Sequence, residues 1–155
     1  MPNGDTTSML RNWLLTEGPG CTGLADFVRQ FNHELQSHSI PVDRIFIGPL
    51  LIHPVSSGIA VSYEYGADIL REKELSHDLF AKIHASNNTP MAHLVHTKQK
   101  LRARLNQSET FNMKDLLVLK SKDYTDFLAI PIIVSGTLRA CLTIATKQAT
   151  GFSDG

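Results

Sequence analysis

Apolar side chains recur at helical spacing near the start of the chain. A first group ends before Gly18-Pro19-Gly20, a tripeptide typical of a helix end. This group consists of Leu10, Trp13 and Leu14. A longer stripe at i, i+3, i+4, i+7 and i+11 follows, made of Leu24, Phe27, Val28, Phe31 and Leu35. The pattern predicts two amphipathic helices after a flexible polar start over residues 1–9.

The pattern then changes to that of β-strands. Residues 44–53 are apolar on both faces, which is typical of a central strand. Turn residues occupy 53–58, with His53 before a proline, and residues 59–65 alternate strictly. This alternation places Ile59, Val61, Tyr63 and Tyr65 on one face. The two segments predict a β-hairpin with His53 as a turn residue.

The middle of the chain has a weaker pattern. Within the irregular segment from Gly66 to Thr97, one helix is predicted from the spacing of Leu75, Leu79, Phe80 and Ile83. A short helix follows, with Thr89 as its cap and Pro90 at its first position. Residues 98–105 alternate with period two, which favours a strand, although Leu94, Leu101 and Leu105 also fit one helical face.

The last third predicts a helix over 112–120 and two long strands around Ser135-Gly136. Strands joined by tight turns pair in antiparallel fashion, and helices before, between and after them complete the pattern. The predicted fold class is therefore α+β: a central antiparallel sheet sandwiched between helices, in one domain over residues 1–155.

Composition and charge narrow the function classes. Hydrophobic residues make up 42% of the 155 residues and charged residues 19%, which suits a globular domain. The formal net charge is zero, whereas a nucleic-acid binder is expected to be basic. No apolar run has membrane-spanning length, and the N-terminus lacks a signal-peptide core. The two cysteines form no CxxC pair, so the sequence predicts a cytoplasmic domain.

Chemistry-bearing motifs are scarce. The chain has no phosphate loop, no HExxH and no GxSxG, and no catalytic residue is predicted. His93 and His96 share a helical face at i, i+3, as do His77 and His84 two turns apart, so a metal or haem iron is one interpretation. Two histidines fall short of the three or four ligands of a closed site, and exposed helix histidines are the simpler interpretation.

Other polar and reactive groups allow a functional or a structural interpretation. A basic row of Lys98, Lys100, Arg102 and Arg104 suits a phosphate or acidic partner, or the solvated face of an edge strand. Tyr63 and Tyr65 suit a ligand cavity or a packed core. Cys141 is predicted to be an inert small hydrophobe. Asp123 and Asp126 flank a strand start and are interpreted as caps.

Several segments together resemble a known family. They are "SIPVDRIFIG", "LIHPVSSGIAVSYEY", "TPMAHLVHTKQKLRARL", "KDYTDFLAIPI" and "TIATKQATGFSDG". Together with an early tryptophan, Trp13, they extend from about Trp13 to Asp154. In order and spacing they resemble the region that precedes the catalytic domain in a group of bacterial class III adenylate/guanylate cyclases. That region is similar to GAF domains, which are regulatory α+β sandwiches with a ligand cavity on one face of the sheet.

The resemblance implies a sensory module that performs no reaction itself and controls a C-terminal cyclase domain through a connector beginning at residues 151–155. It implies a cavity between the sheet and the Gly66–Thr97 segment, with cAMP or cGMP as the first ligand to test. The candidate ligand-binding residues are Tyr63, His93, His96 and Arg102. The candidate homodimer interface consists of Leu10, Trp13, Leu14, Leu24, Phe27 and Phe31.

Three functions remain open at this point. The first is a module that binds a small-molecule signal, of unknown identity. The second is a haem-based redox or gas sensor that uses His93 or His96. The third is a dimerisation module with a filled core and no ligand.

Overall fold

A six-stranded antiparallel sheet with helices on both faces forms the centre of the molecule. The structure is a computed structural model and describes residues 4–50, 58–107 and 112–154. The helices are α1 (Gly4–Thr16), α2 (Leu24–Ser37), α3 (His77–Ala85), α4 (Pro90–Thr97) and α5 (Lys114–Ser121), with a 3-10 turn at Gly18–Gly20. The strands are β1 (Arg44–Pro49), β2 (Ile59–Glu64), β3 (Ile69–Glu74), β4 (Leu101–Arg104), β5 (Asp126–Val134) and β6 (Thr137–Thr146). Their order is β3-β2-β1-β6-β5-β4. The predicted α+β class is confirmed.

Helix α2 covers one face of the sheet. The apolar stripe of this helix packs against alternate residues of β1 and β2, because side chains of a strand point to the two faces in turn. The buried members of this cluster are Val28, Leu35, Val42, Ile45, Ile47, Val61 and Tyr63. Helix α1 buries no residue completely and packs on α2 through Leu10 and Trp13.

Helices α4 and α5 pack against the other face. Leu94 of α4 and Leu116 and Leu119 of α5 lie in one cluster with Phe127 of β5 and Cys141 of β6. Burial raises the pKa of the Cys141 thiol to about 12, so the thiol stays protonated and unreactive at neutral pH, as predicted.

Several predicted elements are confirmed residue by residue. Strands β1 and β2 pair as a hairpin with Ile45 opposite Tyr63, and β5 and β6 pair around the Ser135-Gly136 turn. Thr89 caps α4 by accepting a hydrogen bond from the Ala92 amide at 3.1 Å. Residues 101–104 form a strand rather than a helix.

Other predictions need correction. Helix α1 begins at Gly4, so residues 4–9 are helical and not part of a flexible start; its first turn is polar and exposed, which hid it in the hydrophobic pattern. The segment from Gly66 to Thr97 is not irregular, because β3 lies within it and pairs with β2 along its whole length. Residues 51–57, with the predicted turn at His53, lie outside the described residues.

The predicted alternation of faces holds within β2, since Ile59, Val61 and Tyr63 share one face, but burial does not follow it at the ends of the segment. Ile59 is 50% exposed and Tyr65 is 37% exposed, whereas Ala60, on the opposite face, is buried. In the middle of β2 the neighbouring residues Ala60 and Val61 are both buried, so burial there does not alternate.

Candidate functional site

A buried carboxylate, that of Asp126, holds β4, β5 and the C-terminal segment together. Asp126 is only 1% exposed. Its Oδ2 accepts hydrogen bonds from Arg102 Nη2 at 2.7 Å and from the Phe152 amide at 2.9 Å. Its Oδ1 accepts from the Phe127 amide at 3.0 Å and from Arg102 Nε at 3.4 Å. The charge of the buried carboxylate is therefore both paired and hydrogen-bonded, as a buried charge requires.

The guanidinium of Arg102 extends these contacts along the C-terminal segment. Its Nη2 also donates to the Phe152 carbonyl at 2.7 Å, and its Nη1 donates to Asp154 Oδ1 at 2.7 Å. Arg104 donates to the same oxygen of Asp154. We call Arg102, Arg104, Asp126, Phe152 and Asp154 the Asp126 cluster. It attaches residues 152–154 to the edge of the sheet by side-chain and backbone contacts together.

The pairing register explains how the cluster forms. Arg102 and Arg104 project from the same face of β4, because they are two positions apart. Arg104 lies directly opposite Asp126 and Arg102 opposite Leu128, so the guanidinium of Arg102 reaches Asp126 diagonally. Of the predicted basic row, Arg102 and Arg104 lie on the edge strand β4, whereas Lys98 follows the last turn of α4 and Lys100 precedes the strand. However, Arg102 and Arg104 are half-buried in ion pairs and do not form a solvated face.

Glycine at position 151 lets the backbone approach the buried carboxylate. Gly151 has φ +67°, and a Cβ at this position would lie 2.6 Å from Asp126 Oδ2. Two further contacts hold the residues before it: Asn106 Nδ2 donates to the Ala149 carbonyl at 3.0 Å, and Thr125 Oγ1 donates to the Gln148 carbonyl. The interpretation of Asp126 as a strand cap therefore missed its main role.

The contacts of this cluster change the pKa of two of its members, Arg102 and Asp154. The hydrogen bond to Asp126 raises the pKa of Arg102. The hydrogen bond from Arg104, together with both positive charges, lowers the pKa of Asp154. A lowered carboxylate pKa stabilises the folded state above the ordinary value of 3.8, and this stabilisation is lost as the pH falls through the lowered pKa.

The four candidate ligand-binding residues do not converge. Tyr63 lies on the face covered by α2, near the β3 edge of the sheet. Arg102 projects from the same face but at the opposite edge, and its guanidinium is engaged in the Asp126 cluster. His93 and His96 lie on α4, which packs on the other face. These residues are therefore not parts of one cavity.

The histidines of α4 are arranged differently from the predicted pair. His93 is half-buried and His96 is exposed, and the ring of His96 lies 6.3 Å from that of His84 on α3, edge to face. Among the residues that the structure describes, no group of three or more His, Cys, Asp or Glu side chains is placed to hold a metal ion. The described helices also include none with the length and hydrophobicity needed to cross a membrane.

Tyr63 instead lines an open cleft beside α2. Its hydroxyl donates to Asp68 Oδ1 at 2.8 Å and lies 3.2 Å from His33 Nε2. The cleft has a volume of about 470 Å³. We call it the Tyr63 cleft; it is lined by Arg29, His33, Tyr63, Tyr65, Gly66 and Asp68. The sequence pattern identified the two tyrosines but not their partners on α2, which come from a different element.

Most of the candidate dimer residues pack within the chain. The rings of Trp13, Phe27 and Phe31 form a mutual cluster with centroids 5.6–5.9 Å apart. Leu10 and Leu24 pack against the core beneath α2. Leu14 is 40% exposed, and two apolar neighbours on α1, Met9 at 47% and Leu15 at 71%, are exposed as well. The apolar surface of α1 that remains free therefore differs from the predicted set.

No family model and no curated protein matches the sequence, whereas solved structures do. The chain is similar to the A. aeolicus nlh2 GAF domain in an inactive state, with 14% identity, a TM-score of 0.58 and coverage of 96% of this chain and 82% of that one. The GAF domain of a phosphoenolpyruvate-protein phosphotransferase from Coxiella burnetii gives 16% identity, a TM-score of 0.58 and the same coverages. The GAF domain of a two-component sensor histidine kinase from Bacillus halodurans gives 16% identity, a TM-score of 0.51 and coverages of 84% and 83%. The chain has the GAF fold.

Proposed function

We propose that this chain is the regulatory module of a bacterial class III adenylate or guanylate cyclase, and that it performs no reaction of its own. The observation that carries the proposal is the Asp126 cluster. Two motifs of the cyclase resemblance, Thr125-Asp126-Phe127 and Gly151-Phe152-Ser153, are far apart in sequence and are joined by the hydrogen bond between the Phe152 amide and Asp126 Oδ2. A connector to a catalytic domain would thus start from a fixed point on the sheet.

The cluster also supplies a physical route for regulation. A signal acts on a module only by binding two of its arrangements with different affinity. Because Arg102 belongs to β4 and Asp126 to β5, a shift between these two strands changes the position of Phe152. The direction in which a following catalytic domain leaves the module would change with it.

Cyclase assays of the natural polypeptide that carries this domain test the proposal. With ATP or GTP and a divalent metal, we expect cAMP or cGMP to form. Asp154→Asn, which removes an exposed carboxylate of the Asp126 cluster, should change the specific activity about threefold or more, about 0.7 kcal/mol in the barrier. The matched control is Glu72→Gln on the exposed strand β3, which should leave activity unchanged. A polypeptide that makes neither cyclic nucleotide would refute the cyclase assignment.

We also propose that the module forms a homodimer through the face of α1 that carries Leu14 and Leu15, which are 40% and 71% exposed and about 100° apart around the helix. Sedimentation of this chain at high micromolar concentration should give the mass of a dimer. Leu15→Glu should give a monomer that keeps the circular dichroism spectrum of the folded chain. Leu117→Glu, at a residue of α5 that is 50% exposed, is the control and should remain dimeric. A wild-type chain that sediments as a monomer would contradict the proposal.

A further inference from the structure

The Tyr63 cleft has a fixed polar wall. Tyr63 is 1% exposed, and burial together with its hydrogen bond to Asp68 raises the pKa of its phenol. The phenol therefore stays protonated and donates to Asp68, while its oxygen lies within hydrogen-bond distance of His33. The rings of His33 and Tyr65 lie edge to face, with centroids 5.4 Å apart. Four side chains, from α2, from β2 and from the turn after β2, thus hold one another in place.

Two opposite charges stand at the opening of the cleft. Arg29 Nε lies 3.7 Å from Asp68 Oδ1, and the two side chains are 48% and 73% exposed. At this distance and exposure the pair contributes little to stability. Within residues 4–50, 58–107 and 112–154, Arg29 makes no hydrogen bond, and Asp68 Oδ2 accepts none. The Arg29 guanidinium lies over the ring of Tyr63, with its Cζ 5.6 Å from the ring centroid, which places it at the cleft. Its N–H donors and one carboxylate oxygen of Asp68 are thus available to a ligand.

The charges at the opening decide which ligand fits. A carboxylate pairs well with the planar fork of an arginine, and an ammonium group pairs with a carboxylate and with aromatic faces. An anion alone would be repelled by Asp68, and a cation alone would be repelled by Arg29. A molecule that carries an ammonium and a carboxylate group on the same carbon atom pairs with both residues at once. The cleft volume of about 470 Å³ is within the range of small-molecule sites.

We propose that the Tyr63 cleft binds a small zwitterion, a free α-amino acid, with its carboxylate on Arg29 and its ammonium group on Asp68. The side chain of the amino acid would lie against Tyr65, which is 37% exposed. The inference rests on the proposed regulatory role only for its biological purpose, because the bound amino acid would be the signal that the module senses. The chemistry of the site stands on the cleft alone.

Titration of this chain followed by its amide NMR signals tests the proposal. The probes are each of the standard L-amino acids, with propionate and ethylammonium as single-charge halves. We expect at least one amino acid to shift the signals of Tyr63, Tyr65 and Gly66 and to saturate below about 10 mM, and neither half to bind at that concentration. Arg29→Gln and Asp68→Asn should each weaken binding about tenfold, equivalent to about 1.4 kcal/mol.

The control variant is Arg71→Gln, which removes an exposed arginine of the neighbouring strand β3 that pairs with Glu64. It should leave the affinity unchanged. The proposal is overturned if no amino acid saturates the signals, if propionate binds as well as the amino acid, or if Asp68→Asn has no effect. Binding is read on this chain alone, so each of these results leaves the cyclase and dimer proposals to their own tests.

Discussion

Replacing Asp126 by asparagine should lower the free energy of unfolding by about 2–3 kcal/mol, because Arg102 loses its buried charge partner and keeps only the exposed carboxylate of Asp154. Arg102 is 27% exposed on its side chain, so water compensates some of the loss and the effect stays below that of a fully buried pair. The amide of asparagine also presents one acceptor oxygen where the carboxylate has two. Urea unfolding followed by circular dichroism measures the change.

Asp154→Asn provides the matched comparison, since it removes a carboxylate bound to the same arginine. This side chain is 77% exposed, so we expect only a small loss of stability. Hydrogen exchange gives a local measurement: the Phe152 amide, protected by Asp126 Oδ2, should exchange faster in Asp126→Asn than in the wild type. Equal unfolding midpoints for the two variants would contradict the central role of Asp126.

The elements that the sequence predicted well are those with a continuous apolar face. Helix α2 and the paired strands β5 and β6 each bury one face against the core, and burial imposes the period seen in the sequence. Strand β3 was not predicted from the sequence, for the opposite reason. Its residues from Arg71 to Glu74 are all exposed and charged, so no alternation marks them. Its conformation is set by pairing with β2, which a local pattern does not contain.

The candidate sites show the same limit more strongly. The resemblance marked the two motifs of the Asp126 cluster but not their contact. Asp126 binds the amide of Phe152, 26 positions later, and the side chain of Arg102, 24 positions earlier. Tyr63 was identified from its alternation in β2, whereas its partner His33 comes from α2, 30 positions earlier. Residue type and spacing indicated which side chains are unusual, and only the pairing of elements determined which of them meet.

Gly151→Ala should lower the free energy of unfolding by about 2–3 kcal/mol, through backbone strain and a steric clash acting together. The φ of +67° disfavours any residue with a Cβ. The added Cβ would also lie 2.6 Å from Asp126 Oδ2. The carboxylate has little room to move away, because Arg102 and the Phe152 amide bind the same oxygen. Urea unfolding again measures the loss.

Gly136→Ala separates the two causes of this loss. Gly136, in the turn between β5 and β6, has φ +76°, and a Cβ there would meet no atom within 4 Å. Its substitution should therefore show the backbone cost alone, about 1–2 kcal/mol. If the clash is real, Gly151→Ala should also lose part of its effect in an Asp126→Ala background, where the obstructing oxygen is gone. Equal losses for the two glycines, with additive effects of Gly151→Ala and Asp126→Ala, would mean that the backbone at 151 does not depend on the buried carboxylate. A fixed exit from the sheet, on which the proposed regulation relies, would then lose its support.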